Sequence, residues 1–170
     1  MSYHDELTDN QIRLIESSRV FFVGSTDPTL ESGPERIGPL NLSPKGGLKL
    51  HIIDRTTVAF LDFGGSGDET ARHAGLGGPV TVMVCSFEKD EAAIVRLYGK
   101  ASTKPVSESP LAIRLLEEIG GPPLMRPRQI IEVNIFRTQT SCGYGVPVME
   151  FVRDRVKEDR GRNYWEKSNE

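Results

Sequence analysis

The hydrophobic residues of this chain fall mostly into short runs bounded by glycine, proline and charged residues, a pattern typical of β-strands. One early segment has a different spacing, because Ile12 and Ile15 lie about one helical turn apart. Thr8, followed three residues later by Gln11, forms the signature of a capping box, so we predict a helix over Asp9–Ser18. Strands are predicted over Val20–Ser25, Pro39–Ser43, Leu48–Ile53, Thr57–Phe63, Val80–Phe87, Ala93–Ser102 and Gln129–Phe136.

Two later segments have helical features. Pro110–Ile119 has apolar residues at helical spacing and is followed by a Gly-Gly-Pro stop, and Met149–Lys167 is charged and predicted to be a helical tail. The strands follow one another without the intervening helices of a parallel sheet. The pattern therefore predicts one mainly β domain over residues 1–170, a β-barrel with peripheral helices. Residues 1–18 form its N-terminal helical segment, and residues 149–170 form a charged C-terminal tail.

Composition narrows the class of protein. The 170 residues have a net charge of −3 with acids and bases interspersed, which argues against nucleic-acid binding. Apolar runs such as Val80–Cys85 are too short to span a membrane. Cys85 and Cys142 have no histidine near them in sequence, so neither a zinc site nor a disulfide framework is expected. Because the first eight residues lack the features of a secretion signal, we expect a cytoplasmic protein.

The segment Asn41–Gly47 is the first candidate site. A predicted strand ends there, two glycines permit unusual backbone conformations, and Lys45 offers a cation beside exposed amide groups. Such a turn could line the edge of a planar ligand rich in hydrogen-bond acceptors. An ordinary hairpin turn with a solvated lysine is the alternative, and the spacing alone favours it.

A second candidate is Leu61–His73, where a strand leads through a Gly/Ser turn into a short helix. Thr70 and Arg72 in the first turn of that helix suit a phosphate, which binds free amides, hydroxyls and a guanidinium. Asp68 and Glu69 would repel a phosphate and would serve well as helix caps, so a capped surface helix remains an equal alternative.

The third candidate is the strand that contains Arg96 and Tyr98, whose side chains share one face. A ligand in the mouth of a barrel could contact that face, although a solvated strand face is the commoner explanation. The three histidines lack metal-ligand spacing, no nucleophile motif is present, and no catalytic residue can be assigned.

Taken together, these stretches resemble a known family. The segments that are similar are Phe21–Val23, Ser43–Gly47, Leu61–Asp62, Gly65–His73, Met83–Phe87, Arg96–Gly99 and Ser141–Pro147. Their order resembles the pyridoxamine 5′-phosphate oxidase-like family of FMN-binding split barrels, specifically its small members, from about Leu7 to about Arg155. Each motif is weak alone, and the combination is fairly specific.

The resemblance implies a homodimer with FMN in a groove between the two barrels. Residues expected along the flavin ring are Ser43, Pro44, Lys45 and Gly46. Residues expected around the ribityl phosphate are Asp62, Ser66, Gly67, Thr70 and Arg72. Arg96 matches a strand position that approaches the flavin in relatives.

The function implied is that of an FMN-dependent oxidoreductase acting on an unidentified small molecule. Oxidation of vitamin B6 is disfavoured, because the phosphate segment is less basic than in true pyridoxamine phosphate oxidases. The C-terminal residues 163–170 also do not match the end of those enzymes. The alternatives are a non-catalytic flavin-binding, haem-binding or sensor protein, and a reductase that depends on the deazaflavin F420.

Overall fold

An antiparallel sheet forms the body of the protein in a computed structural model that describes residues 1–32, 38–64, 67–117, 119, 126–156 and 159. Its eight strands within those ranges are β1 Ser2–His4, β2 Val20–Thr26, β3 Leu40–Gly46, β4 His51–Asp54, β5 Thr57–Phe63, β6 Pro79–Cys85, β7 Ala93–Pro105 and β8 Pro127–Cys142. They are ordered β3-β2-β6-β7-β8-β5-β4, and β1 pairs with β8. The helices are α1 Asp9–Ser17, α2 Glu69–Gly75 and α3 Ala112–Glu117, with a short 3₁₀ helix at Val106–Glu108. The prediction of a mainly β fold with peripheral helices is confirmed.

The core lies on the inner face of this sheet. In β2 the inward residues alternate with half-buried ones, and Phe21 packs edge-on against Phe60 of β5 with ring centroids 5.3 Å apart. Val82 and Leu97, on β6 and β7, are fully buried in the same cluster. A smaller cluster forms where α3 places Leu115 against β5 and β8. Alternation of apolar and polar residues thus decides which face of β2 becomes core, whereas β5 is buried on both faces between the two clusters.

Helix α1 begins as the sequence predicts. The backbone N–H of Gln11 donates to Thr8 Oγ1 at 3.3 Å, and the backbone N–H of Thr8 donates to Gln11 Oε1 at 3.0 Å. This reciprocal capping box satisfies two backbone donors that a helix start would otherwise leave unpaired. Leu14 and Ile15 are buried against the core, so the amphipathic stripe fixes the helix on the sheet.

The boundary of β3 corrects the sequence analysis. Pro44, Lys45 and Gly46 were predicted to lie in a turn, whereas they continue the strand and pair with β2. Proline is tolerated in this strand because β3 lies at the edge of the described sheet. The turn begins instead at Gly47, whose φ of 69° is readily adopted only by glycine.

The predicted C-terminal helix is wrong over the residues that the structure describes. Residues 149–156 have no regular secondary structure. This segment instead lies against the body of the protein, where the N–H of Met149 donates to the carbonyl of Phe87 at 3.0 Å. Of the other residues predicted to be helical, 157, 158 and 160–167 lie outside the described residues. The N-terminal strand β1 was not predicted, and β8 extends beyond its predicted ends because it pairs along most of β7.

Candidate functional site

A row of polar side chains lies on the inner face of β3. Asn41, Ser43 and Lys45 alternate along the strand and therefore share one face. Ser43 pairs with Val23 and Lys45 pairs with Phe21, and both of these β2 residues are buried. Because paired residues on neighbouring strands point to the same side, the row on β3 faces the barrel interior at the edge of the described sheet.

The middle of this row contains a buried hydroxyl without a partner. Asn41 Nδ2 donates to Thr70 Oγ1 of α2 at 2.9 Å, which joins β3 to that helix. Ser43 Oγ is inaccessible to solvent and has no hydrogen-bond partner among the described residues. A buried hydroxyl left unpaired costs about 1–3 kcal/mol, so a ligand that supplies a polar atom here would recover that free energy.

Lys45 lies among acidic and basic groups from three other elements. Burial lowers the pKa of Lys45 below its ordinary value, and the neighbouring carboxylate of Asp62 opposes that shift. The positive charge of Arg128 lowers the pKa further, while Glu69 raises it. The β3 row and the start of α2 therefore belong to one electrostatic neighbourhood, in which a half-buried cation can attract an anionic or electron-rich ligand.

Asp62 is fixed at the end of β5 by two residues of β8. Its Oδ2 accepts hydrogen bonds from Arg128 Nε at 3.1 Å, from Arg128 Nη2 at 2.7 Å and from Gln129 Nε2 at 2.9 Å. The Asp62 side chain is buried, so these charge-assisted bonds hold its orientation. The sequence analysis did not name Arg128 and Gln129 as site residues. They could have been found only from the pairing of Asp62 with Gln129 between β5 and β8, which the structure shows.

Arg72 points to a buried cluster instead of to open solvent. Its Nη1 donates to Asp27 Oδ2 at 2.8 Å, and its Nη2 lies 3.1 Å from His73 Nε2. Hydrogen bonds from Thr29, followed by the interaction with Arg72, lower the pKa of Asp27, so this carboxyl is ionised at neutral pH. The guanidinium proposed for the phosphate is thus already paired with a carboxylate.

His73 is a buried neutral imidazole in the same cluster. Arg72 can only donate, so it fixes His73 Nε2 as an acceptor and Nδ1 as the donor to Ser25 Oγ, 2.9 Å away. Burial and, after it, the positive charge of Arg72 lower the pKa of His73 from 6.5, although Asp27 and Glu69 oppose this shift.

The protein is therefore expected to lose stability as the pH falls from 7 to 5. Below the ordinary histidine pKa, the unfolded chain binds a proton at His73 that the folded protein excludes, so the free energy of unfolding decreases. The slope for this group is at most about 1.4 kcal/mol per pH unit. Urea denaturation at several pH values should give a flatter profile for His73→Gln than for the wild type. The exposed His4 provides the control variant, and the slope of His73→Gln should be flatter than that of His4→Gln. Equal slopes for the two variants would contradict the assignment.

Arg96 lies on the opposite face of the sheet from Lys45. It pairs with Met83, which pairs with Phe22, which in turn pairs with Pro44, so all four share the outer face. Arg96 Nη1 donates to Ser141 Oγ at 3.0 Å. The structure therefore separates Arg96 and Pro44 from the inner row.

The other predicted site residues are distributed as follows. Ser43, Lys45, Asp62 and Thr70 converge on the inner side of β3. Gly46 ends β3, and Gly67 is exposed just before α2. Ser66 lies outside the described residues. Within the described ranges, no group of three His, Cys, Asp or Glu residues could hold a metal ion. None of the helices there is long and apolar enough to cross a membrane.

Sequence comparison finds one relevant curated relative. The chain is 32% identical over 154 residues to a pyridoxamine 5′-phosphate oxidase family protein, ustO, of Aspergillus flavus. The match covers 89% of this chain and 58% of that protein, so this chain spans little more than half the length of its relative. No protein-family model matches the chain.

Solved structures share the fold at low sequence identity. An FMN-binding protein from Syntrophomonas wolfei is similar over 75% of this chain and 80% of its own, with a TM-score of 0.56 and 16% identity. An F420 reductase matches over 78% of this chain and 98% of its own, with a TM-score of 0.54 and 14% identity.

A Clostridium acetobutylicum protein related to general stress protein 26, described as belonging to the pyridoxinephosphate oxidase family, matches over 78% of this chain and 86% of its own, with a TM-score of 0.50 and 10% identity. The similarity to the Aspergillus relative over 89% of this chain, together with the fold shared with these structures, confirms the predicted resemblance to the pyridoxamine 5′-phosphate oxidase-like family.

Proposed function

We propose that this protein binds FMN and acts as an FMN-dependent oxidoreductase on a small molecule. The observation that supports the proposal most strongly is the buried Ser43 hydroxyl, which has no partner among the described residues and lies next to the half-buried Lys45 on the inner face of β3. An occupant with hydrogen-bonding atoms and negative character would satisfy both groups.

The donor and acceptor types around this row fit FMN. The flavin ring offers carbonyl oxygens and ring nitrogens, for which the Ser43 hydroxyl and the Lys45 ammonium are donors. The ribityl hydroxyls need acceptors as well as donors, and Asp62 and Thr70 can supply them. Bound FMN would supply the two-electron chemistry, while the protein would supply binding, orientation and electrostatics.

The proposed contacts divide along the cofactor. Ser43, Lys45 and Gly46 lie along the ring in this proposal, and Pro44, whose side chain is on the outer face, does not. Asp62, Gly67, Thr70 and Arg72 are the described residues proposed for the ribityl phosphate, and Ser66, which the sequence analysis also expects there, lies outside the described residues. Lys45 then places positive charge near the ring edge that becomes electron-rich on reduction, and the carboxylate of Asp62 opposes the lowering of the Lys45 pKa by burial.

A homodimer is part of the proposal, because it accounts for the outer face of the sheet. Leu40 and Leu42 of β3 are 69% and 70% exposed, on a strand at the edge of the described sheet. Exposed apolar side chains on a sheet edge favour association with another chain. Since Arg96 lies on the outer face, it reaches the flavin only across a subunit interface.

Titration of the purified protein with FMN tests the proposal. We expect saturable quenching of flavin fluorescence with one FMN bound per chain, and light scattering should give twice the chain mass of 18.8 kDa. Absence of FMN uptake would refute the central claim. Binding of F420 in place of FMN, or a Soret band after addition of haem, would instead select one of the alternative cofactors.

Replacing Lys45 with glutamine should weaken the binding of reduced FMN more than the binding of oxidised FMN. The variant removes the cation that stabilises the added electrons, so the midpoint potential of the bound flavin becomes more negative. A tenfold selective loss corresponds to about 30 mV for a two-electron couple. Lys100→Gln is the matched control, because Lys100 is exposed on β7 and is expected to leave the potential unchanged. An identical potential in both variants would remove Lys45 from the ring.

A further inference from the structure

A cavity of about 760 Å³ lies beside the end of β3. Its walls come from the C-terminal end of α1, the start of β2, the end of β6 and the segment 149–155. Pockets of this size accommodate small organic molecules. Gly46 and Gly47 line the cavity, whereas Ser43, Lys45 and Asp62 do not. The cavity is therefore adjacent to the β3 polar row and distinct from it.

The lining of the cavity favours an apolar ligand with rings. Its larger apolar side chains are Leu14, Leu48, Phe63, Phe87, Ile119, Met149 and Phe151. Cys85 also lines the wall, and burial raises the pKa of its thiol, so the group is uncharged at neutral pH. Flat aromatic surfaces and a polarisable thiol and thioether suit an aromatic molecule better than a sugar or a small ion.

One wall of the cavity is formed by segment 149–155, which has no regular secondary structure. Segment 149–155 is anchored by the bond from Met149 N–H to the Phe87 carbonyl, and the Arg19 guanidinium carbon lies 4.9 Å from the Phe151 ring centroid. Phe151 is still half exposed. A cation over one ring shows that the mouth can stack a guanidinium on an aromatic face, which a ligand ring could share.

Charge at the rim adds a preference for one kind of substituent. Arg19, Arg153 and Arg155 line the cavity together with the acidic residues Glu88, Glu150 and Asp154. Arg153 is already paired with Asp159. Arg19 has its stacking contact with Phe151 and can still donate to an anionic group at the mouth.

We propose that this cavity binds an aromatic small molecule, with Phe151 against its ring and Arg19 beside an acidic or strongly accepting substituent. A molecule bound there lies against the end of β3. We identify this molecule as the substrate of the protein. That identification rests on the proposed function, whereas the existence of the binding site does not.

The probe 8-anilinonaphthalene-1-sulfonate has the required rings and an anionic group. We expect saturable binding of one probe per chain, followed by its fluorescence. Phe151→Ala should weaken that binding at least tenfold, because it removes the stacking wall. Tyr144→Ala is the matched control, since Tyr144 is an exposed aromatic residue outside the cavity and its loss should leave binding unchanged. Equal effects of the two substitutions would overturn the proposal.

Protection of a thiol from modification locates the probe without a substitution in the cavity wall. In Cys142→Ser the only remaining cysteine is Cys85, which lines the cavity. Saturating probe should slow the reaction of Cys85 with methyl methanethiosulfonate, followed by intact mass, at least tenfold. An unchanged rate would place the probe elsewhere and overturn the proposal.

Competition separates this cavity from the flavin site. FMN binding is followed by its own fluorescence, and we expect FMN and the probe to bind together. One-for-one displacement of the probe by FMN would make the cavity part of the flavin site and overturn the inference. Probe binding with no FMN binding would refute the proposed function and leave this site intact.

Discussion

Gly78→Ala is expected to destabilise the protein by at least about 3 kcal/mol. A Cβ atom at Gly78 would lie 2.2 Å from the carbonyl oxygen of Thr26 and 2.9 Å from that of His73. Both atoms belong to the backbone, so neither can rotate away as a side chain could. The N–H of Gly78 also donates to the His73 carbonyl at 2.8 Å, which fixes the turn between α2 and β6. For a chain of this length, the expected loss in Tm is about 6–12 °C.

Gly145→Ala is the control for this prediction. A Cβ atom at Gly145 would meet nothing within 4 Å, and the residue is exposed. The free energy of unfolding of this variant, measured by urea or thermal denaturation, should lie within about 0.5 kcal/mol of the wild-type value. Similar losses for Gly78→Ala and Gly145→Ala would mean that the backbone between α2 and β6 relaxes freely around a new methyl group. Because α2 contains Thr70 and Arg72, Gly78→Ala should also weaken FMN binding.

The elements that could be predicted from sequence are those whose signals are local. The capping box of Thr8 and Gln11 determines the start of α1 within one turn, and strand alternation determines which residues of β2 enter the core. Turn chemistry was less reliable at Pro44, because edge position in a sheet is a property of the whole topology. The charged segment that begins at Met149 was wrongly predicted to be a helix for a similar reason. Its contact with Phe87 depends on the folded structure and cannot be inferred from composition.

The candidate site shows the same difference between local and long-range signals. Ser43, Lys45, Asp62 and Thr70 were named from two short segments of sequence, and the structure brings them to one region. Their partners were not named, because Arg128 is 66 residues away from Asp62 along the chain and Asp27 is 45 residues away from Arg72. Such partners follow only from the pairing of β5 with β8 and from the packing of α2 on β2.

The role proposed for Arg72 predicts opposite effects for two substitutions. If its guanidinium binds the FMN phosphate, Arg72→Ala removes a charge-assisted bond of about 1.5–3 kcal/mol. We expect FMN affinity to fall about 10- to 100-fold and riboflavin affinity, which involves no phosphate, to change less than about threefold. Titrations of both flavins under the same conditions measure the difference.

Asp27→Asn should act in the other direction. The Asp27 carboxylate binds Arg72 Nη1 and therefore competes with a phosphate for the same donor. Neutralising this carboxylate should increase the affinity for FMN several-fold and leave the affinity for riboflavin unchanged. The reason is that the freed Arg72 guanidinium can bind the phosphate, which only FMN has.

The double variant Asp27→Asn/Arg72→Ala controls for the buried carboxylate that Arg72→Ala alone leaves unpaired. It should retain the weak FMN binding of Arg72→Ala with a more stable fold. A different pattern would contradict the phosphate role: if Arg72→Ala weakens both flavins equally and Asp27→Asn does not tighten FMN, the Asp27–Arg72 pair only fastens α2 to the end of β2.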